Sequence, residues 1–436
     1  MNNNHKKQFS LWVNLLTTLA LITSMALVNC EKKKDDNTPL LAAAALASRG
    51  AGTAATGGGT SSSTGAPSKL TYSGSPYSFL VSTAITTITP TVTGTVTSCT
   101  SSPTLPTGLS LNATTCAISG TPTTVQGATT YTVTASNSGG STTATISILV
   151  SSDGSTWTSR TMPSSQVWQS VAYGNGVFVA VAGGPSTVAA SSTDGITWTA
   201  RTLPSSQDWT SVTFGNGVFV AVAGGPSTVA ASSTDGITWT ARTLPSSALW
   251  ASITYGNGTF VAVATNSTPA ATSTDGVTWT SVNMPSAQQW RSVTFGNGLF
   301  VATSSGGTVA ATSTDGATWT ARTLPSTSSW STVAYGNGVF TTVSNTNGTI
   351  AASSTDGITW TARTLPSSGN WRGLAYGNGV FIATIQGSAS AAKSIDGVTW
   401  TGITLPNAIS WYAVGYGNGT FVALAIGPSS VVATSP

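Results

Sequence analysis

The chain has 436 residues, enough for two or three domains, and 6% of them are charged against roughly 25% in an average soluble protein. Gly, Ser, Thr and Ala fill the difference, yet aromatic and β-branched residues are too plentiful and too evenly spaced for a disordered chain. From Pro67 onward nine Lys/Arg stand against eight Asp, so most of the net charge of +4 lies ahead of Gly50 and no basic face for nucleic acid can be assembled.

Lys6 and Lys7 precede an apolar run from Leu11 to Val28 that ends in Leu27-Val28-Asn29-Cys30. A basic start followed by such a run is an export signal. Its end resembles a bacterial lipoprotein signal, in which the Cys is acylated and becomes the mature N-terminus; Leu27 fits that pattern and Asn29 departs from it. The resemblance implies a signal peptide over 1–29, a lipid at Cys30 and anchoring to the bacterial membrane; the long tether and the spacer module that follow favour outward display, so the expected location is the outer membrane and cell surface. The alternative is an uncleaved transmembrane anchor, which also leaves the remainder outside the cytoplasm. Glu31-Lys-Lys-Lys-Asp-Asp36 and an Ala/Gly/Ser/Thr-rich run make residues 30–66 a flexible, low-complexity tether.

Residues 67–150 show short alternating stretches broken by Pro and Gly, the pattern of a β-sandwich. Tyr131-Thr-Val-Thr-Ala135 and Ala144-Thr-Ile-Ser-Ile-Leu-Val150 alternate and flank Asn137-Ser-Gly-Gly140, a hairpin signal. Leu105-Pro-Thr-Gly-Leu-Ser-Leu111, then Ile118-Ser-Gly-Thr-Pro122, then Ser138-Gly-Gly-Ser-Thr-Thr143 resemble, in that order, the Ig-like domains of bacterial surface proteins, relatives of cadherin-like modules. That family usually has Gly just before the Ile-Ser-Gly-Thr-Pro segment, where this chain has Cys116 close by. Cys99 and Cys116 are the remaining cysteines of the exported part, and the simplest expectation is that they pair. Cadherin-like relatives often bind calcium through carboxylates; residues 68–150 contain no Asp or Glu, so no such site is expected. The module reads as a spacer.

Residues 151–436 carry Asp-Gly pairs with a Trp four positions after each Asp, at Asp153, Asp194, Asp235, Asp275, Asp315, Asp356 and Asp396. Successive copies are 41, 41, 40, 40, 41 and 40 residues apart, a period that means a propeller or a solenoid. One unit reads as four short strands: Trp209–Phe214, Val218–Ala223 after an Asn-Gly turn, Val229–Ser232, and Ile237–Arg242 after the Asp-Gly turn, with Leu244-Pro245 leading onward. Four antiparallel strands per unit make a propeller blade. The chain stops before the last unit has its Asp-Gly turn and fourth strand, and that piece stands alone at Ser152–Trp157. The expected fold is therefore all-β: an Ig-like sandwich followed by a seven-bladed β-propeller closed by its N- and C-terminal half-blades. The repeats resemble Asp-box (BNR-type) repeats of sialidase-superfamily and photosystem-assembly-factor propellers, in a form one residue shorter between Asp and Gly. In such a box Asp accepts backbone N–H bonds across its own turn, Gly takes positive φ, and Trp packs between blades.

A sialidase-like glycoside hydrolase would need an arginine cluster, a Tyr–Glu pair and an acid/base Asp. The single Glu, Glu31, lies in the tether, and Arg160, Arg201, Arg242, Arg322 and Arg363 occupy one repeated position at the outer edge. No His follows His5, so neither a Ser-His-Asp set nor a metal site is expected, and no cofactor. The reading is a non-enzymatic surface lipoprotein whose monomeric propeller binds an extracellular or envelope protein or a glycan, with no nucleic acid; an envelope scaffold or assembly factor is the alternative. The Asn-Gly and Asp-Gly turns barely change between copies, whereas the opposite face varies. There Asp208, Arg291, Arg372 and Tyr412 are the candidate ligand residues.

Overall fold

The computed structural model describes residues 65–435. The expected export signal, the expected lipidation at Cys30 and nearly all of the expected tether lie outside the described residues. Within them the chain is all-β, in two parts.

The first part holds a four-stranded sheet and two two-stranded sheets. Its spine is the hairpin of Gln126–Asn137 and Gly140–Ser151, in which Tyr131, Val133, Ile146, Ile148 and Val150 alternate inward and are almost wholly buried. Ser98–Ser102 joins one side of the hairpin in antiparallel register, and Tyr77–Leu80 joins the other in parallel. Cys99 and Cys116 are bonded across the core, with Cα atoms 5.3 Å apart. Cys116 has φ 54°, in the left-handed region that suits glycine.

The second part is one continuous pairing path of strands that returns on itself, Ser429–Ser435 pairing with the start of Thr158–Gly174. The short link expected at Leu203-Pro204 and its equivalents is not a loop. Thr199–Gly215 is a single 17-residue strand whose first half forms the outer edge of one sheet and whose second half forms the innermost strand of the next. Proline fits because it holds extended backbone, and these residues fall in the irregular stretch of the outer pairing between Thr202 and Gln207, where no ladder partner needs its missing N–H. The fourth strand is also shorter than its sequence suggests: Ile237-Thr-Trp239 belongs to the Asp-Gly turn, and pairing starts at Thr240.

Val218–Gly224 is apolar almost throughout and buried on both faces, as expected of a strand covered by neighbouring sheets. The Asn216-Gly217 turn before it takes φ 48° and 76°, the two left-handed residues that a two-residue hairpin requires. Trp168, Trp209, Trp250, Trp290, Trp330, Trp371 and Trp411 are at most 1% exposed and fill the sheet interiors.

Neighbouring sheets interlock by a contact between glycine and aromatic rings. The glycine that ends each inner strand lies under the aromatic residue of the next: Gly174 under Phe214, Gly215 under Tyr255, Gly256 under Phe295, and so on round to Gly417 under Tyr173. A Cβ on any of them would overlap the ring. The last member of the series engages the first, so the packing closes as the hydrogen bonding does.

Candidate functional site

Six of the Asp-Gly turns share one geometry. In Asp194, Asp235, Asp275, Asp315, Asp356 and Asp396, Oδ1 accepts the backbone N–H of the residues two and three positions on, all at 2.8 Å. The Ser two positions before donates to the same carboxylate at 2.8–2.9 Å. These bonds hold the carboxyls below their ordinary range; for Asp356 the N–H of Thr359, then that of Ile358, bring it to about 2. Asp153, at the closing sheet, is built differently: Ser155 supplies both N–H and hydroxyl, and Lys393 Nζ stands 3.0 Å from Oδ2. That is the one ion pair among the described residues. Every one of these carboxylates is thus engaged in holding its own turn.

The repeated arginines are engaged too. Arg201 Nε donates to Ser191 Oγ at 2.8 Å, and Arg160, Arg242, Arg322 and Arg363 make the same bond to a hydroxyl on the adjacent strand. They fasten outer edges and share no cavity.

Asn175 Nδ2 bonds the Thr234 carbonyl and Asn337 Nδ2 that of Ile395, which places the Asn-Gly and Asp-Gly turns on one face. The Ig-like part rests on that face, at the final sheet's turn: Ser152 N–H donates to the Gly419 carbonyl at 3.1 Å, and Val125 and Leu149 border Gly419.

At the other ends of the inner strands lies a cavity of about 370 Å³, and Asp208, Arg291, Arg372 and Tyr412 all line it. The four come from different sheets, brought together because each stands next to an inner-strand Trp. Arg372 lies over the Tyr412 ring, 5.0 Å from its centre, a cation–π contact. The Asn345 amide, turned so that its oxygen faces the guanidinium, accepts from Arg372 Nε at 3.3 Å and Nη2 at 3.2 Å. Asp208 Oδ1 accepts the Gly184 N–H at 2.8 Å. Arg291 is exposed and has no hydrogen bond or ion pair among the described residues.

Below these residues runs a ring of hydroxyls that sequence comparison did not single out. Ser170, Ser211, Ser252 and Ser292 each accept a backbone N–H from the next inner strand, at 3.1–3.2 Å. Thr332 Oγ1 donates to the Arg372 carbonyl at 2.5 Å. The signal was present as a serine two positions after the Trp in four copies. Its constancy marks it as a stitch between sheets and not as part of a ligand set. Among the described residues no cluster of three His, Cys, Asp or Glu could hold a metal ion.

Residues 59–151 match the Ig domain model He_PIG, and residues 202–328 and 283–408 match the DUF6242 beta propeller domain. The chain is an Ig-like domain followed by a β-propeller. Among solved structures, the WD40 beta propeller domain of Doa1 is similar with TM-score 0.50 and 14% identity, over 64% of this chain and 95% of that one. A chain of the Mitotic Checkpoint Complex is similar with TM-score 0.51 and 9% identity, over 64% of this chain and 90% of that one. At these identities the likeness shows the propeller fold alone. No curated protein matches the chain.

Proposed function

We propose that this protein is a lipid-anchored surface protein that presents its propeller for binding a protein or glycan, and that it is not an enzyme. The observation that carries the reading is the cavity. The residues that break the repeat pattern, Asp208, Arg291, Arg372 and Tyr412, line one concave site on the face opposite the Ig-like domain. Propellers suit this role because a rigid stack of sheets holds variable loops around a central depression.

One further feature favours it. The cavity's one carboxylate, Asp208, has no second acid or base beside it to form the pair that general acid–base hydrolysis uses.

The test is a screen of the full-length protein in detergent against glycans and matrix proteins, repeated with Arg372→Ala and Tyr412→Ala. Capture that both substitutions weaken supports the reading. Capture indifferent to both, or turnover of glycosides abolished by Asp208→Ala, overturns it. Protease added to intact cells should clip the propeller; full protection would refute surface display.

A further inference from the structure

We infer that the cavity takes a small dipolar ligand, an α-amino acid or short peptide, with its carboxylate toward Arg291 and Arg372 and its ammonium toward Asp208. This rests on the reading that the cavity face is the binding face, and it narrows what occupies it.

The charges decide the class. Arg291 and Arg372 stand on inner strands separated by a single strand, that of Ser331. Asp208 precedes the inner strand two sheets further round from Arg291 and three from Arg372. None of the three is paired with another charge among the described residues, although all line one cavity. A dianion would meet Asp208, a simple cation would meet two guanidiniums, and an uncharged ligand could hydrogen-bond to all three but would neutralise none of them. A ligand with one charge of each sign satisfies both sides.

The two sides are also built to different degrees. Arg372 is held by the Tyr412 ring and by the Asn345 amide at Nε and Nη2, leaving the rest of its guanidinium fork for a carboxylate. Asp208 keeps Oδ2 while Oδ1 is tied to Gly184 N–H. Arg291, with no internal partner, is free to close on the same carboxylate. The volume of about 370 Å³ is at the small end of ligand pockets, roughly 300–1,000 Å³, which fits an amino acid or dipeptide and not a folded domain.

Isothermal titration calorimetry on the full-length protein in detergent tests this with four probes: alanyl-alanine, its N-acetylated form, its C-terminal amide, and succinate. Alanyl-alanine is expected to bind at least about tenfold more tightly than either blocked form, each of which forfeits one charge-assisted contact. Asp208→Asn retains the acceptor for Gly184 and should erase the preference over the acetylated form. Arg291→Gln, which removes no internal bond, should shrink the preference over the amide; Arg372→Gln should do so more strongly. Equal binding of the acetylated form, tighter binding of succinate, or no heat with any probe overturns the inference. If the dipeptide fails while partner capture remains sensitive to Arg372→Ala, this inference falls and the binding face stands. If both fail, both fall.

Discussion

Gly417, at the end of the last inner strand, lies beneath the ring of Tyr173 on the first, and the two join the ends of the propeller. The contact admits no side chain at Gly417, whose φ is not left-handed, so the requirement is purely steric. Gly417→Ala should therefore destabilise by overpacking, about 1–3 kcal/mol, read as a lower midpoint in urea. Gly402→Ala is the matched control: it lies in an outer strand with nothing nearer than 3.9 Å to its Cβ. It should be neutral or slightly stabilising, since it narrows the unfolded ensemble. Equal effects from the two substitutions would mean that the ring contact does not hold the ends.

Acid should weaken the propeller in a defined window. Backbone and serine donors hold the carboxyls of Asp235, Asp275, Asp315 and Asp356 below their ordinary 3.8. In Asp194 and Asp396 burial pushes upward, and the same donors outweigh it. A folded-state pKa below the unfolded one contributes stability above the unfolded value, and that contribution is lost as pH falls through the folded value. Urea midpoints should stay level from neutral pH down to about 5 and drop between about pH 4 and 2. Asp356→Asn should flatten part of that drop while lowering the neutral-pH midpoint. A drop centred near pH 6 would point to groups other than these carboxyls.

Much of this fold is legible in the sequence because it repeats. Asp235 and Trp239 recur at a fixed offset, and Asn216-Gly217 supplies both left-handed residues of its hairpin, so turns and strands can be marked before any packing is known. Comparing copies also picks out Asp208, Arg291, Arg372 and Tyr412, since a repeat that breaks its own pattern is conspicuous. What escapes is contact between copies. Gly215 reads as a turn glycine, and nothing local shows that Tyr255, 40 residues on, sits over it. Asn345 reads as a loop residue until the fold carries it to Arg372. The 17-residue strands escape for a related reason: a proline within Leu203-Pro204 looks like a break unless one knows that two sheets meet there.

The Cys99–Cys116 bond gives a prediction confined to the Ig-like domain. Closing a loop of 17 residues contributes about 3 kcal/mol in the chain-entropy account. Cys99→Ala combined with Cys116→Ala should lower the unfolding midpoint of that domain accordingly. Cys116 carries φ 54°, where alanine is strained and glycine is not. Cys99→Ala with Cys116→Gly should therefore lose less than the double alanine variant. The reverse order would mean that the backbone at 116 relaxes once the bond is gone.

The junction between the domains can be separated from the turn that forms it. Gly379 and Gly419 occupy the same place in successive Asn-Gly turns, at φ 79° and 83°. A Cβ on Gly379 meets nothing within 4 Å, whereas one on Gly419 would lie 3.2 Å from the Val150 carbonyl and 3.4 Å from Val125 Cγ1. Alanine at either site carries the cost of a left-handed φ, about 1–2 kcal/mol. At Gly419 it also presses on the Ig-like domain, through backbone that cannot swing aside as a side chain would. Gly419→Ala should consequently cost more than Gly379→Ala, and the difference measures the junction. Hydrogen exchange localises it: the Ser152 amide, bonded to the Gly419 carbonyl at 3.1 Å, should exchange faster in Gly419→Ala and unchanged in Gly379→Ala. Unchanged protection in both would show that the Ig-like domain is joined to the propeller by its chain and not by this face.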